Sequence, residues 1–138
     1  MFTGQYEYSV DDRGRVPVPP KYRNDFKAGL FLSKGLDSCL NAYTPEAWAR
    51  LADLITARSF TDATARDLRR NMASWAFEVE IDKQGRILLP GALRDYAGIG
   101  QNAVVVGVFD SLEIWGSERW DAKSADLLAN PPQIPDRA

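Results

Sequence analysis

From Gln5 to Asp11 the chain alternates: Tyr6, Tyr8 and Val10 share one face, and Glu7, Ser9 and Asp11 the other. A period of two predicts a half-buried strand. Phe77 to Asp82 repeats the pattern, with Phe77, Val79 and Ile81 expected inward and Glu78, Glu80 and Asp82 outward. Each strand runs into Asp-x-x-Gly. Asp can accept from the backbone two residues on and Gly tolerates positive φ, so a tight hairpin connection is predicted. Short apolar strands follow, Val16 to Val18 and Ile87 to Leu89, stopped by Pro19 and Pro90. Short helices are then expected over Pro20 to Phe26, carrying Tyr22 and Phe26, and over Gly91 to Ala97, carrying Leu93 and Ala97. Proline suits a first helical turn, and Gly29 and Gly98 are placed to end these helices.

A hairpin and a longer helix come next in each copy. Leu30 to Tyr43 answers Ala103 to Trp115, with turns at Asp37-Ser38 and Asp110-Ser111. The spacing between copies shifts by one residue here, which predicts a bulge or longer turn near Cys39. Thr44-Pro45-Glu46 opens a helix in good order, as N-cap, first-position proline and acid in the first turn. Its apolar stripe is Trp48, Leu51 and Ile55; after Ser117-Glu118 the second copy offers Trp120, Ser124, Leu127 and Leu128. Trp48 and Trp120 are expected as core anchors. Thr61 to Asn71 has no counterpart and predicts a connecting helix with Thr61 as N-cap. Its Arg66, Arg69 and Arg70 share one face, read as solvated.

The duplication is explicit in the residues. Asp11-Asp12-Arg13-Gly14-Arg15 through Pro19 is answered by Asp82-Lys83-Gln84-Gly85-Arg86 through Pro90 at an offset of 71, without a gap (Asp11 to Asp82). Glu7, Asp11, Gly14, Arg15, Pro19 and Arg23 are each identical in the second copy. The expected organisation is a first half over residues 1–58, a connecting helix over 59–73, a second half over 74–129 and a loose tail over 130–138. Each half alone is small enough for a lone core to be marginal, so the two are expected to share one.

Composition narrows the chemistry. There is no histidine, and Cys39 is the only cysteine, so an internal disulfide, the usual Cys/His zinc sites and Ser-His or Cys-His catalysis are excluded. Asp11 and Asp82 lack a second carboxylate at suggestive spacing and are read as turn caps. No enzyme, cofactor or metal is expected. No apolar run approaches the ~20 residues needed to span a bilayer, and a signal-peptide pattern is lacking, so the cytoplasm is expected. Net charge is −2, unevenly spread. Residues 1–71 carry 11 Lys/Arg against 9 Asp/Glu, and residues 72–138 carry 6 against 10. Any nucleic-acid contact must therefore use a local basic patch, repeated by assembly.

That patch is the turn. Asp82-x-x-Gly85-Arg86 through Pro90, then Leu93-Arg94, resembles the AbrB-type swapped-hairpin DNA-binding element. Two such elements at this spacing, after Met1-Phe2-x-Gly4, resemble the MraZ family of transcriptional regulators over about residues 1–128. The resemblance implies an α+β fold: a swapped-hairpin β-barrel with short helices and a pseudo-twofold internal repeat. It also implies a ring of several subunits that binds G-rich direct repeats of double-stranded DNA upstream of the division and cell-wall gene cluster, in the nucleoid. Carried onto this chain, the DNA-binding residues are Arg13, Gly14 and Arg15, with Lys83 and Arg86 from the second copy; Asp11, Asp82 and Gly85 shape the turns. Arginine suits bidentate contact with guanine O6 and N7. The plainer alternatives are that Arg15 pairs with Asp11 or Asp12, that Arg86 pairs with Asp82, and that Arg23 and Arg94 fix nearby carboxylates. An AbrB-like antitoxin and a ring-forming interaction module without DNA binding are the rival functions.

Overall fold

The computed structural model describes residues 1–135. The alternating stretch forms β1 (Gln5–Ser9), with Tyr6 and Tyr8 half-buried and Glu7 exposed. After the turn come β2 (Arg15–Pro17) and a 3-10 helix, Pro20–Phe26, which buries Tyr22 and Phe26. The first hairpin is β3 (Leu30–Lys34) and β4 (Leu40–Tyr43), followed by α1 (Pro45–Thr56) and α2 (Ala63–Ala73). The second copy supplies β5 (Phe77–Val79), β6 (Arg86–Leu88), α3 (Gly91–Ala97), β7 (Asn102–Gly107), β8 (Leu112–Gly116) and α4 (Ser117–Ala129).

Local signals account for most of these boundaries. The Thr44 side chain accepts from the Ala47 N–H at 3.2 Å, capping α1 as expected. Gly98 takes a left-handed φ of 64° at the end of α3. The 3-10 helix is capped at Lys27 instead, and Gly29 follows it, its N–H donating to Phe26 O at 2.9 Å. The first hairpin's turn, residues 35–39, is one residue longer than its counterpart, 108–111, because Lys34 pairs with Leu40 whereas Gly107 pairs with Leu112. Cys39 lies in that longer turn, not in the strand, and burial pushes its thiol up to about 12.

The strands assemble across the two copies. Six form one sheet in the order β1-β7-β8-β4-β3-β5, and β2 pairs with β6 in a separate ribbon. Exchanging each strand for its repeat mate reverses the sheet order, so a pseudo-twofold axis passes between β4 and β8. It also passes through the Val16–Ile87 pair at the centre of the ribbon. One apolar core draws on both copies, with Val16, Val18 and Leu32 from the first and Ile87, Leu89 and Val105 from the second.

Four expectations are corrected. The barrel does not close: the sheet ends at β1 and β5, and β2–β6 lies apart. The tight hairpins are turns only. The Asp11 N–H donates to Arg15 O at 3.0 Å, but β1 then pairs with β7 and β2 with β6. Each ribbon strand runs out within three residues near a proline, which has no N–H to extend a ladder. Phe77 is 39% exposed, since β5 is a three-residue edge strand whose register ends at Leu32 opposite it. Finally, α2 is capped by Asp62, whose carboxylate accepts from the Thr64 N–H at 3.0 Å, and not by Thr61.

Of the three α2 arginines, Arg70 is solvated beside Asp67, whereas Arg66 and Arg69 also bond to backbone carbonyls. Arg66 donates to Phe60 O at 3.0 Å, and Arg69 donates to Thr56 O at 3.1 Å and Arg58 O at 3.2 Å. Arg69 ties α2 to the last carbonyl of α1, where the helix dipole favours a cation, and both arginines bond to the α1–α2 connection. Trp48 stacks on Phe31 and Trp120 packs against Trp115, both half-buried. Of the tail, residues 131–135 have no regular structure, and 136–138 lie outside the described residues.

Candidate nucleic-acid interface

The ribbon sets the two Asp-x-x-Gly turns side by side. In the first, Asp11 Oδ1 accepts from the backbone N–H of Arg13 at 3.0 Å and of Arg15 at 2.8 Å. In the second, Asp82 Oδ1 accepts from Gln84 at 2.8 Å and Arg86 at 3.0 Å. The other carboxylate oxygen of each holds an arginine. Arg15 Nε donates to Asp11 Oδ2 at 2.6 Å, and Arg86 Nε to Asp82 Oδ2 at 3.1 Å. Arg86 Nη1 also reaches Asp11 Oδ2 at 3.4 Å, linking the turns. The ion pairs weighed for Arg15 and Arg86 therefore form, and Asp11 and Asp82 do cap their turns.

These pairs hold the arginines without covering them. Arg15 and Arg86 keep 27% and 26% of their side-chain surface, and Arg15 engages its partner through Nε. Among the described residues no protein acceptor meets either terminal nitrogen of Arg15. Arg13 and Lys83 are exposed nearer the turn tips and make no ion pair among the described residues. Gly14 and Gly85, at φ 81° and 80°, let each turn reverse. Asp12 is also exposed, so the tips are only weakly positive.

The sequence missed what Arg23 and Arg94 do. Neither holds a carboxylate. Arg23 Nε donates to Val18 O at 2.9 Å, and Arg94 Nε to Leu89 O at 3.2 Å. Each guanidinium then crosses to the other copy and lies where a side chain on its turn glycine would be. A Cβ on Gly14 would sit 2.7 Å from Arg94 Cζ, and one on Gly85 would collide with Arg23. Five of the six repeated identities thus belong to one device: Asp shapes the turn, Gly makes room, Arg15 or Arg86 is held by Asp, Pro starts the helix, and Arg23 or Arg94 braces the opposite turn. The clue was the joint repetition of Gly and Arg.

The backbone N–H of Arg15, reinforced by its side chain and by the Arg13 N–H, holds the Asp11 carboxyl below its ordinary value. Bonding to the Arg86 N–H does the same for Asp82. A carboxyl lowered in the folded state adds stability that is present above its unfolded pKa of about 3.9 and lost as pH falls through the lower folded value. Denaturant midpoints are therefore expected to fall below about pH 4. The double variant Asp11→Asn with Asp82→Asn should show a shallower acid decline, and an unchanged decline would refute this assignment.

Taken together, a sheet that interleaves two sequence copies and a ribbon that pairs their turns define a tandem-duplicated α+β protein with one paired-turn face. A family model described as "MraZ protein, putative antitoxin-like" matches twice, over residues 1–71 and 72–137. The chain belongs to the MraZ family. It is 42% identical to a Thermomicrobium roseum protein named transcriptional regulator MraZ, covering 99% of this chain and 96% of that one. Proteins of the same name from Herpetosiphon aurantiacus (46%, covering 97% and 94%) and Acetivibrio thermocellus (43%, covering 91% and 88%) are similar along most of their length. No helix among the described residues is long and apolar enough to cross a membrane, and no group of His, Cys, Asp and Glu there could hold a metal ion.

Proposed function

We propose that the chain is a sequence-specific DNA-binding transcriptional regulator of the cytoplasm and nucleoid, and not an enzyme. It reads short G-rich direct repeats upstream of the division and cell-wall gene cluster, and assembles into a ring to do so. The observation that carries this reading is the pairing of the two turns, with Arg13 exposed at one tip and Arg15 steadied through Nε. An arginine fixed by a carboxylate while its terminal nitrogens stay open loses less freedom when it forms a fork on guanine O6 and N7. Arg13, Lys83 and Arg86 supply the surrounding charge, and Gly14, buried beneath the Arg94 guanidinium, keeps the turn tight enough to present them. The exchange of ribbon strands supports reading each turn as an AbrB-type swapped-hairpin element. The chain divides into a first half over residues 1–58, a connector over 59–73 and a second half over 74–129.

The weak charge of one turn pair makes multivalency necessary. Once one subunit of a ring is bound, the next meets its repeat at an effective concentration set by geometry. Affinity is expected to fall steeply when neighbouring repeats are moved by half a helical turn, roughly 5 bp, because the second turn pair then faces away from the duplex. Restoring a full turn, ~10 bp, should restore most of it. Binding measured across a spacing series tests this, and indifference to phase would defeat the multivalent account. Failure to bind the region upstream of its own gene at all would defeat the regulator reading.

A further inference from the structure

The β2–β6 ribbon has an outer face as well as the inner one that feeds the core. Val16 and Ile87 pair at its centre and are buried, so the residues flanking them face outward: Arg15 opposite Leu88, and Pro17 opposite Arg86. Gly14 O accepts from the Leu89 N–H at 2.9 Å, and Gly85 O from the Val18 N–H at 2.8 Å. The two outward pairs are therefore the non-hydrogen-bonded ones, where facing side chains lie closest. One member of this face is out of keeping with its arginines. Leu88 is 52% exposed, although Ile87 and Leu89 on either side of it are buried. Its mate in the first copy (offset 71) is the half-buried Pro17, a shorter side chain. The pseudo-twofold is broken again at the arginines. Arg86 Nη1 reaches Asp11 at 3.4 Å, whereas the terminal nitrogens of Arg15 meet no protein acceptor among the described residues.

We propose that Leu88 is a second base-reading residue, packing against the 5-methyl group of a thymine beside the guanine that Arg15 contacts. The assignment rests on the DNA reading proposed above and adds a base that the arginines do not read. Three arguments select this ligand. A two-stranded ribbon is one of the shapes that the major groove admits, and in that groove thymine alone presents a methyl group. Facing Cβ atoms of such a pair lie about 5 Å apart, against ~3.4 Å between stacked bases, so Leu88 falls within about two base pairs of the base held by Arg15. An apolar side chain left in water also gains by being covered, and a methyl group covers it without leaving a polar group unpaired. The outer face thereby acquires a direction, with Leu88 beside an open Arg15 at one end and Pro17 beside a tied Arg86 at the other. A face with exact twofold symmetry matches a palindrome. This one matches an element without a dyad, as a direct repeat is.

The test uses the full chain and duplexes from the region upstream of its own gene. Replacing guanines one at a time by 7-deazaguanine removes the N7 acceptor. The replacement that weakens the wild type but not Arg15→Ala marks the guanine that Arg15 reads. Thymines within about two base pairs of it are then replaced by deoxyuridine, which deletes only the methyl group. At one of them wild-type affinity is expected to fall about fourfold per engaged repeat, the scale of one buried methyl-sized group. Leu88→Ala should bind the intact duplex about as weakly and be indifferent to that deoxyuridine. Its affinity for unrelated duplexes, its melting temperature and its mass by light scattering should stay close to those of the wild type, since the side chain points outward. Should the variant not fold, the deoxyuridine scan of the wild type still decides. The proposal is overturned if the wild type ignores every such deoxyuridine or no thymine lies that near the guanine. It is overturned equally if Leu88→Ala still senses the methyl group, or loses its assembly and so marks Leu88 as a subunit contact. A wild type that bound the upstream region no better than unrelated DNA would instead defeat the regulator reading.

Discussion

Replacing Arg15 with alanine is expected to weaken binding to the proposed G-rich repeat about 10- to 100-fold per engaged turn, the scale of one bidentate base contact. Binding to unrelated duplexes should weaken far less. The fold should survive, because the Asp11 carboxylate keeps its two backbone partners when the side chain is gone, and partly exposed ion pairs add little. Asp11 would remain near the DNA with less compensation, deepening the loss. Arg15→Lys separates charge from geometry. It keeps the cation but lacks the planar fork, so it should restore salt-dependent attraction without restoring discrimination between sequences. Competition titrations of the three proteins against operator and scrambled duplexes measure both quantities. If Arg15→Ala discriminated as well as the wild type, Arg15 would be only the turn's fastener and the base-reading role would pass to Arg13.

Gly85→Ala is expected to destabilise the protein by about 2–3 kcal/mol. Roughly 1–2 kcal/mol comes from holding a side-chain-bearing residue in left-handed backbone, which the φ of 80° imposes. About 1 kcal/mol more comes from the bond to Val18 O that a displaced Arg23 gives up. The melting temperature should drop on the order of 10 °C. A double-mutant cycle with Arg23→Ala tests the second part. If the methyl and the guanidinium compete for one space, the two substitutions together should cost less than their sum. Strict additivity would mean that Arg23 does not press on that turn. The matching cycle, Gly14→Ala with Arg94→Ala, should behave alike because the same crossing is made from the other copy.

Both predictions concern the boundary between what was readable in the chain and what was not. The periodicity of Tyr6-Tyr8-Val10, the Thr44 cap, the Asp-x-x-Gly turns and the longer loop at Cys39 were all legible. Each is decided by residues within a few positions of one another: a side chain reaching its own backbone, or alternate positions sharing a face. The burial of Tyr22, Phe26, Leu93 and Ala97 followed for the same reason. The failures share a different cause. Phe77 was assigned inward from its alternation, but only the register against β3 decides where the sheet edge lies. Arg23 and Arg94 are not on carboxylates: their partners are the backbone carbonyls of Val18 and Leu89, and the space they fill is left by a glycine of the other copy, neither of which shows as a charge in the sequence.

The amino-acid sequence by itself determined that this protein is a duplication, where its turns and helices fall, and that its family is MraZ. Only the tertiary structure decided that β2 would pair with β6 and β1 with β7, leaving the barrel open. It also decided that Asp11 would hold arginines from both copies. Strand pairing is a choice among distant partners, made by burying one face of every strand in a single shared core. Short-range preferences are satisfied equally well by several pairings, so they cannot select the one that forms.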